Sequence, residues 1–446
     1  MITIALRRNA CLMNSARAIG LGAALLGLAW ALPAAASPGW LQIGYNSGHS
    51  GFNNTETAIK PKNVATLANA GTYTTGGAVL TPVISKGIAY VRSTDQNLYA
   101  WNLATGKLVW SISLPTEDGP NGMAVASDRL VTNCVTGTNQ SGICAFSTKT
   151  GKSLWVFGEL NGQSFSPPTI AGKTVYVAVS YNEVEYADII VAVDLETGAQ
   201  LWGFGSCADY CEKFGPNAPA VDNGTVYFGC VGGGSGDPVT DTGVCAVNAS
   251  TGALVWQYQL GCTCGGDGQG RLIAQGGTVY AAYQTANCYQ CGYTIDVTAL
   301  NESTGAKIYD TPLTGQLNDS YYPLGPPVLG PDGTVYEGLN ANNNPNQPNQ
   351  FALNANGTLQ WQVSTVPSFG APPTLVGKSG KGVLFFACSG AQNGGTTCAL
   401  DASNGSVVWN SSDGGLASYD SFAPPVTGGA VYNDCNNNDL CVYKVQ

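Results

Sequence analysis

The chain has 446 residues, a formal net charge of −10 and only 10% charged residues, with 59 glycines and 23 prolines. That mix suits many short strands joined by tight turns and excludes an architecture of long surface helices. An excess of acids over 18 basic residues argues against nucleic acid and anionic membrane as partners.

In chain order, residues 1–36 read as an export signal. Arg7, Arg8 and Arg17 form a basic stretch, Ala18 to Leu32 is apolar, and Ala34-Ala35-Ala36 offers a small-residue cleavage site before Ser37. An uncleaved anchor is the alternative, but the apolar run is short for a spanning helix and Pro33 suits a cleavage site better. The mature protein is therefore expected not to span a membrane, and to be periplasmic or secreted. The Arg7-Arg8 pair hints at twin-arginine export, yet its flanks match poorly, so general secretion fits as well. Removing three arginines takes the formal charge from −10 to −13.

Residues 37–66 form an opening segment, and residues 67–446 carry a repeat. NLYAWNLATGKLVW (97–110), GICAFSTKTGKSLW (142–155), IIVAVDLETGAQLW (189–202) and GVCAVNASTGALVW (243–256) align without gaps. The stretch 294–309 is two residues longer, 349–361 is one shorter, and 396–409 returns to full length. Each string reads as a hairpin whose glycine (Gly106, Gly151, Gly198, Gly252, Gly305, Gly357, Gly405) supplies the positive φ of a tight turn. A spacing of about fifty residues is the length of a propeller blade.

Before each hairpin lies a strand pair with a Val-Tyr-like step: Ala89-Tyr90, Leu130-Val131, Val175-Tyr176, Val226-Tyr227, Val279-Tyr280, Val335-Tyr336, Leu384-Phe385 and Val431-Tyr432. There are thus eight inner pairs but seven complete hairpins, because 439–446 is only half of an eighth. A strand near Leu67 to Tyr73 is predicted to complete the last blade, closing an all-β, eight-bladed ring of four-stranded blades.

Cysteine positions sharpen this reading. Cys134, Cys230, Cys388 and Cys435 each follow the first residue of a step by four, and Cys144, Cys245, Cys398 and Cys441 each take the third hairpin position. The two slots face each other across antiparallel strands, which predicts Cys134–Cys144, Cys230–Cys245, Cys388–Cys398 and Cys435–Cys441. Cys207 and Cys211 share one inter-blade loop and are expected to pair locally. Cys262, Cys264, Cys288 and Cys291 allow two disulfides or a four-thiolate zinc site; an oxidising compartment favours disulfides, so no metal is expected. Gly292 stands where a c-type haem would need its histidine. All these cysteines map to one rim, opposite the Thr-Gly turns.

The pattern A-x-x-x-x-T-G-x-x-x-W in Ala100–Trp110, Ala145–Trp155, Ala192–Trp202 and Ala246–Trp256, with Trp40-Leu41-Gln42 and His49 to Asn53, resembles the PQQ-propeller repeat family. That resemblance implies a β-propeller and leaves two classes open. Some members are quinoprotein dehydrogenases using PQQ and calcium, whereas others keep the repeat without a cofactor and act as scaffolds in outer-membrane assembly. The recurring Trp110, Trp155, Trp202, Trp256, Trp361 and Trp409 read as inter-blade core before cofactor stackers. PQQ is a flat tricarboxylate, so its site needs cations, an aromatic floor, a carboxylate base and oxygen ligands for calcium. The chain has no adjacent cysteine pair. Arg271 beside Asp267, and then Lys213, are the candidate ligand-binding residues for the channel, although Arg271 could simply pair with Asp267. His49 is the only histidine, which leaves histidine-based triads without material; a turn or capping role is expected for it. The polar run 340–350 reads as a long loop. These residues predict a monomeric, non-catalytic binding or scaffold propeller with no cofactor, meeting a protein or glycan at its cysteine-bearing rim. The alternative is a PQQ- and calcium-dependent dehydrogenase of alcohols or sugars.

Overall fold

In a computed structural model of the protein, the steps and hairpins of the repeat fall on adjacent antiparallel strands. The structure describes residues 39–446 apart from 81, 116–121, 136–140, 161–162, 182–189, 206–216, 232–241, 262–271, 287–292, 314–326, 340–347, 366–372, 378–379, 391–393, 412–423 and 436–437. In the first blade, Val83–Ser85, Ile88–Ser93, Asn97–Asn102 and Lys107–Ser113 form a four-stranded meander from axis to periphery. Eight sheets built on this meander occur among the described residues, two of them with a fifth strand, so the chain is an eight-bladed β-propeller. The eighth takes its outer strand from the N-terminal side: Leu67–Thr74 pairs antiparallel with the C-terminal Asp439–Val445. Pairing Leu67–Thr74 with the last strand closes the ring and removes the edge an open ring would expose.

Burial explains the strand patterns. Second and third strands lie between neighbouring blades and are buried on both faces, as in Ile88–Ser93 and Ser141–Ser147. Outer strands such as Lys107–Ser113 keep one face in solvent. The core is accordingly divided into eight clusters, each filling one seam between blades. At the turn glycines, geometry and contact act together. Gly252 has φ +71°, and a Cβ there would lie 2.7 Å from the Trp202 ring of the preceding blade.

The recurring tryptophans do more than fill space. Each donates its indole N–H to a main-chain carbonyl of the next blade: Trp110 to Thr148 (3.0 Å), Trp155 to Leu195 (2.9 Å), Trp202 to Ala249 (3.0 Å), Trp256 to Glu302 (2.8 Å), Trp361 to Ala402 (3.0 Å) and Trp409 to Leu67 (3.2 Å). The run read as a loop over 340–350 ends earlier than expected: Asn349 is buried, and Gln350 opens the strand Gln350–Leu353. Its residues 340–347 lie outside the described residues.

Candidate functional site

An innermost strand has one free edge, and its unpaired N–H groups need acceptors. The opening segment supplies them. Ile84 N–H donates to the Trp40 carbonyl (2.8 Å), Val125 to Leu41 (2.7 Å) and Ile170 to Gln42 Oε1 (2.8 Å). Val221 then donates to Ser47 (2.6 Å), Ala274 to Gly48 (2.9 Å), Leu329 to Ser50 (2.9 Å) and Leu375 to Gly51 (2.9 Å). In the eighth blade the Val426 carbonyl accepts from Asn53 Nδ2 at 2.7 Å. These inner-strand residues are structurally equivalent, each paired with the first residue of its blade's Val-Tyr-like step. Residues 40–53 therefore touch the inner strands of all eight blades in order, forming an axial hub. His49 belongs to it: it is 2% exposed, has φ 59°, and bonds Thr169 of blade 3 through Nε2 (2.9 Å). The expected turn role is met inside the ring, where the histidine anchors the hub.

A polar arc runs from the second strand of blade 1 through that of blade 2 to the opening residues of blade 3. Arg92 is 1% exposed and donates through Nη1 to Thr132 Oγ1 (2.8 Å) and the Asn133 carbonyl (2.9 Å). Thr132 donates on to Gly122 O (2.9 Å), while Asn133 Nδ2 reaches the Phe165 and Ser166 carbonyls of blade 3 (2.8 and 3.2 Å). Sequence reasoning missed Arg92. One arginine in a run of apolar strand residues reads as solvent-facing, and only the neighbouring blade supplies its acceptors.

The four repeat-related cysteine pairs are disulfides in the structure, each with Cα atoms 5.8 Å apart. They are not directly opposite. Cys134 pairs in register with Gly142 and Cys144 with Thr132, so the bond runs diagonally, with the strands' twist closing the distance. All eight sulfurs belong to buried residues. The same slot holds Val179 and Val191 in blade 3, Leu339 and Phe351 in blade 6, and in blade 5 Tyr283 and Thr298 joined by a 3.2 Å hydrogen bond. Such disulfides point to an oxidising compartment, extracellular or periplasmic. No helix among the described residues is long and apolar enough to cross a membrane.

The sequence-derived candidates Arg271, Asp267 and Lys213 lie outside the described residues, as do Cys207, Cys211, Cys262, Cys264, Cys288 and Cys291. Arg92 directs Nη1 at protein acceptors, and no group of three or more His, Cys, Asp or Glu side chains placed to hold a metal occurs among the described residues.

Comparisons with known proteins agree with this architecture. The family model for outer membrane protein assembly factor BamB matches residues 52–204, 122–292, 167–336 and 351–446. Tetrathionate hydrolase of Acidithiobacillus ferrooxidans is 26% identical over 289 residues, covering 65% of this chain and 47% of that protein. Quinohemoprotein alcohol dehydrogenase of Comamonas testosteroni is 27% identical over 183 residues, 38% of this chain and 26% of the enzyme. The chain thus spans half or less of the curated relatives it matches.

Among solved structures, a europium-containing methanol dehydrogenase superposes with a TM-score of 0.66 at 16% identity, over 91% of this chain and 98% of that one. The Comamonas testosteroni dehydrogenase gives 0.64 at 17%, over 92% and 80%. BamB from Moraxella catarrhalis gives 0.53 at 16%, over 85% and 99%. At such identities these likenesses speak for the fold alone. With the family model matching most of its length, the chain belongs to the PQQ-like β-propeller family represented by outer membrane protein assembly factor BamB.

Proposed function

We propose that the protein is an exported, non-catalytic propeller that binds a protein or glycan through loops held on its disulfide-bearing rim. The observation that carries this reading is the placement of the four disulfides. Each locks the ends of a second and third strand inside a buried seam, which gives the connection between them a stiff frame. Binding sites on a rigid scaffold lose less entropy on association than sites on mobile chain. The family model of an outer-membrane assembly factor supports the same side of the family.

A PQQ- and calcium-dependent dehydrogenase is the second reading, favoured by the likeness to quinohemoprotein alcohol dehydrogenase. The deciding experiment incubates the purified mature protein with PQQ and calcium, then with alcohols or sugars and a dye acceptor. Consumption of tetrathionate is followed in parallel, given the relative of that name. The binding reading expects no dye reduction and no tetrathionate loss. Dye reduction that Arg271→Ala abolishes would overturn it, as would turnover of tetrathionate.

A further inference from the structure

Seams of the ring are closed by a repeated bond from an outer-strand aromatic to a carbonyl of the next blade. The six tryptophans make it in six seams, and in the closing seam between blades 8 and 1 the Tyr73 hydroxyl donates to Leu103 O at 3.2 Å. The seam between blades 5 and 6 differs. Its aromatic is Tyr309, whose buried hydroxyl has no hydrogen-bond partner.

The facing turn explains the loss. In the full-length turns the glycine amide bonds four residues back, as Gly305 does to Asn301, and the residue after that anchor offers its carbonyl to the tryptophan. In blade 6 the turn is one residue shorter, and Gly357 bonds only three back, to Asn354. A bond from Thr311 Oγ1 to Gly357 O (2.8 Å) is what crosses there. Tyr90, Tyr176 and Tyr227 bond the same carbonyls as their tryptophans, at 3.3, 3.0 and 3.2 Å. Their blade 5 counterpart Tyr280 makes no such bond to blade 6 among the described residues.

The same seam holds a second irregularity. Glu337, 2% exposed on the strand Val335–Gly338, shares by alternation the face of Val335, which packs on Ile273, Tyr280, Ala282, Ile295 and Val297 of blade 5. Its Oε2 has no hydrogen-bond partner. Burial pushes this carboxyl well above the usual carboxylate range, against a smaller opposing effect from the Gly338 amide. Among the described residues, the titratable groups facing it from blade 5 are Tyr280 and Tyr309, and burial raises both. Its own blade turns Leu329, Val335, Leu339, Phe351 and Leu353 into that cluster, none of them titratable. Equivalent slots elsewhere are apolar, as at Val177, Phe228 and Phe386, or are satisfied across the seam. Thr132 accepts from Arg92, and Asn433 donates to Thr397 Oγ1.

We propose that the ring opens at the seam between blades 5 and 6, and that ionisation of Glu337 governs the opening. The closed seam favours the protonated acid, while an opened seam wets the carboxyl and returns it to its ordinary value. The closed state then binds more protons across the interval between the two values. Opening rises about tenfold per pH unit through that interval and levels off above it. Below the ordinary carboxylate value this contribution to closure is complete.

Hydrogen exchange of the disulfide-intact, full-length mature protein, read by mass spectrometry and corrected for intrinsic rate, tests this between about pH 4 and pH 8. Amides of 278–286 and 335–338 are expected to lose protection relative to 88–93 and 97–102 as pH rises, and Glu337→Gln to flatten that difference. Equal loss in every blade, or an unchanged slope in Glu337→Gln, would overturn the proposal. Should that variant fail to fold, the seam-by-seam comparison within the wild-type protein decides alone.

Discussion

Gly48 shows how little room the hub leaves. A Cβ at this position would overlap the Ala274 carbonyl that the hub faces. Gly48→Val should therefore destabilise the fold by about 1–3 kcal/mol through overpacking, lowering the Tm in a thermal unfolding experiment. Gly87 is the control, because it has φ +76° with nothing within 4 Å of a built Cβ. Gly87→Ala meets only the backbone cost, about 1 kcal/mol. Tyr309 and Trp256 form a second contrast. Trp256→Phe loses an inter-blade hydrogen bond worth about 1 kcal/mol, whereas Tyr309→Phe removes a hydroxyl that bonds nothing and should leave the Tm unchanged or slightly raised. Equal losses in the two variants would show that the indole bond carries no share of seam stability.

At the scale of the strand pair, the disulfide slot accepts several chemistries. Blade 3 fills it with Val179 and Val191, at the same register as Cys134 and Cys144 in blade 2. The double variant Cys134→Val/Cys144→Val should still fold, with urea unfolding showing a loss of about 2–4 kcal/mol from the released constraint on the unfolded chain. Failure to fold would mean that the staple, and not the packing of the slot, specifies the blade. This pairing was legible because two cysteines recurred at fixed offsets in four blades. The diagonal geometry was not, since it arises from strand twist that no spacing records. The aromatic bond across seams was equally hidden: the tryptophans recur visibly, but their carbonyl acceptors lie on the next blade.

For the whole ring, one stretch of chain does two jobs. Residues 40–53 satisfy the free inner edges, and Leu67–Thr74 completes the last blade, so the N-terminal side ties both axis and circumference. Unfolding should then be strongly cooperative. Reduction of the unfolded protein, with the thiols blocked before refolding, should lower the Tm, while EDTA should leave it unchanged. A drop with EDTA would reveal a structural metal.

Repeat spacing, turn glycines and the unequal tally of strand pairs and hairpins determined the eight blades, their closure by an N-terminal strand and four disulfides, because these follow from local periodicity and chain connectivity. Only the tertiary structure decided that the opening segment is an axial hub, that Arg92 and Glu337 are buried, and that one seam lacks its aromatic bond. Each of these depends on contacts between blades far apart in sequence, where burial and partners are set by packing and leave no periodic trace along the chain.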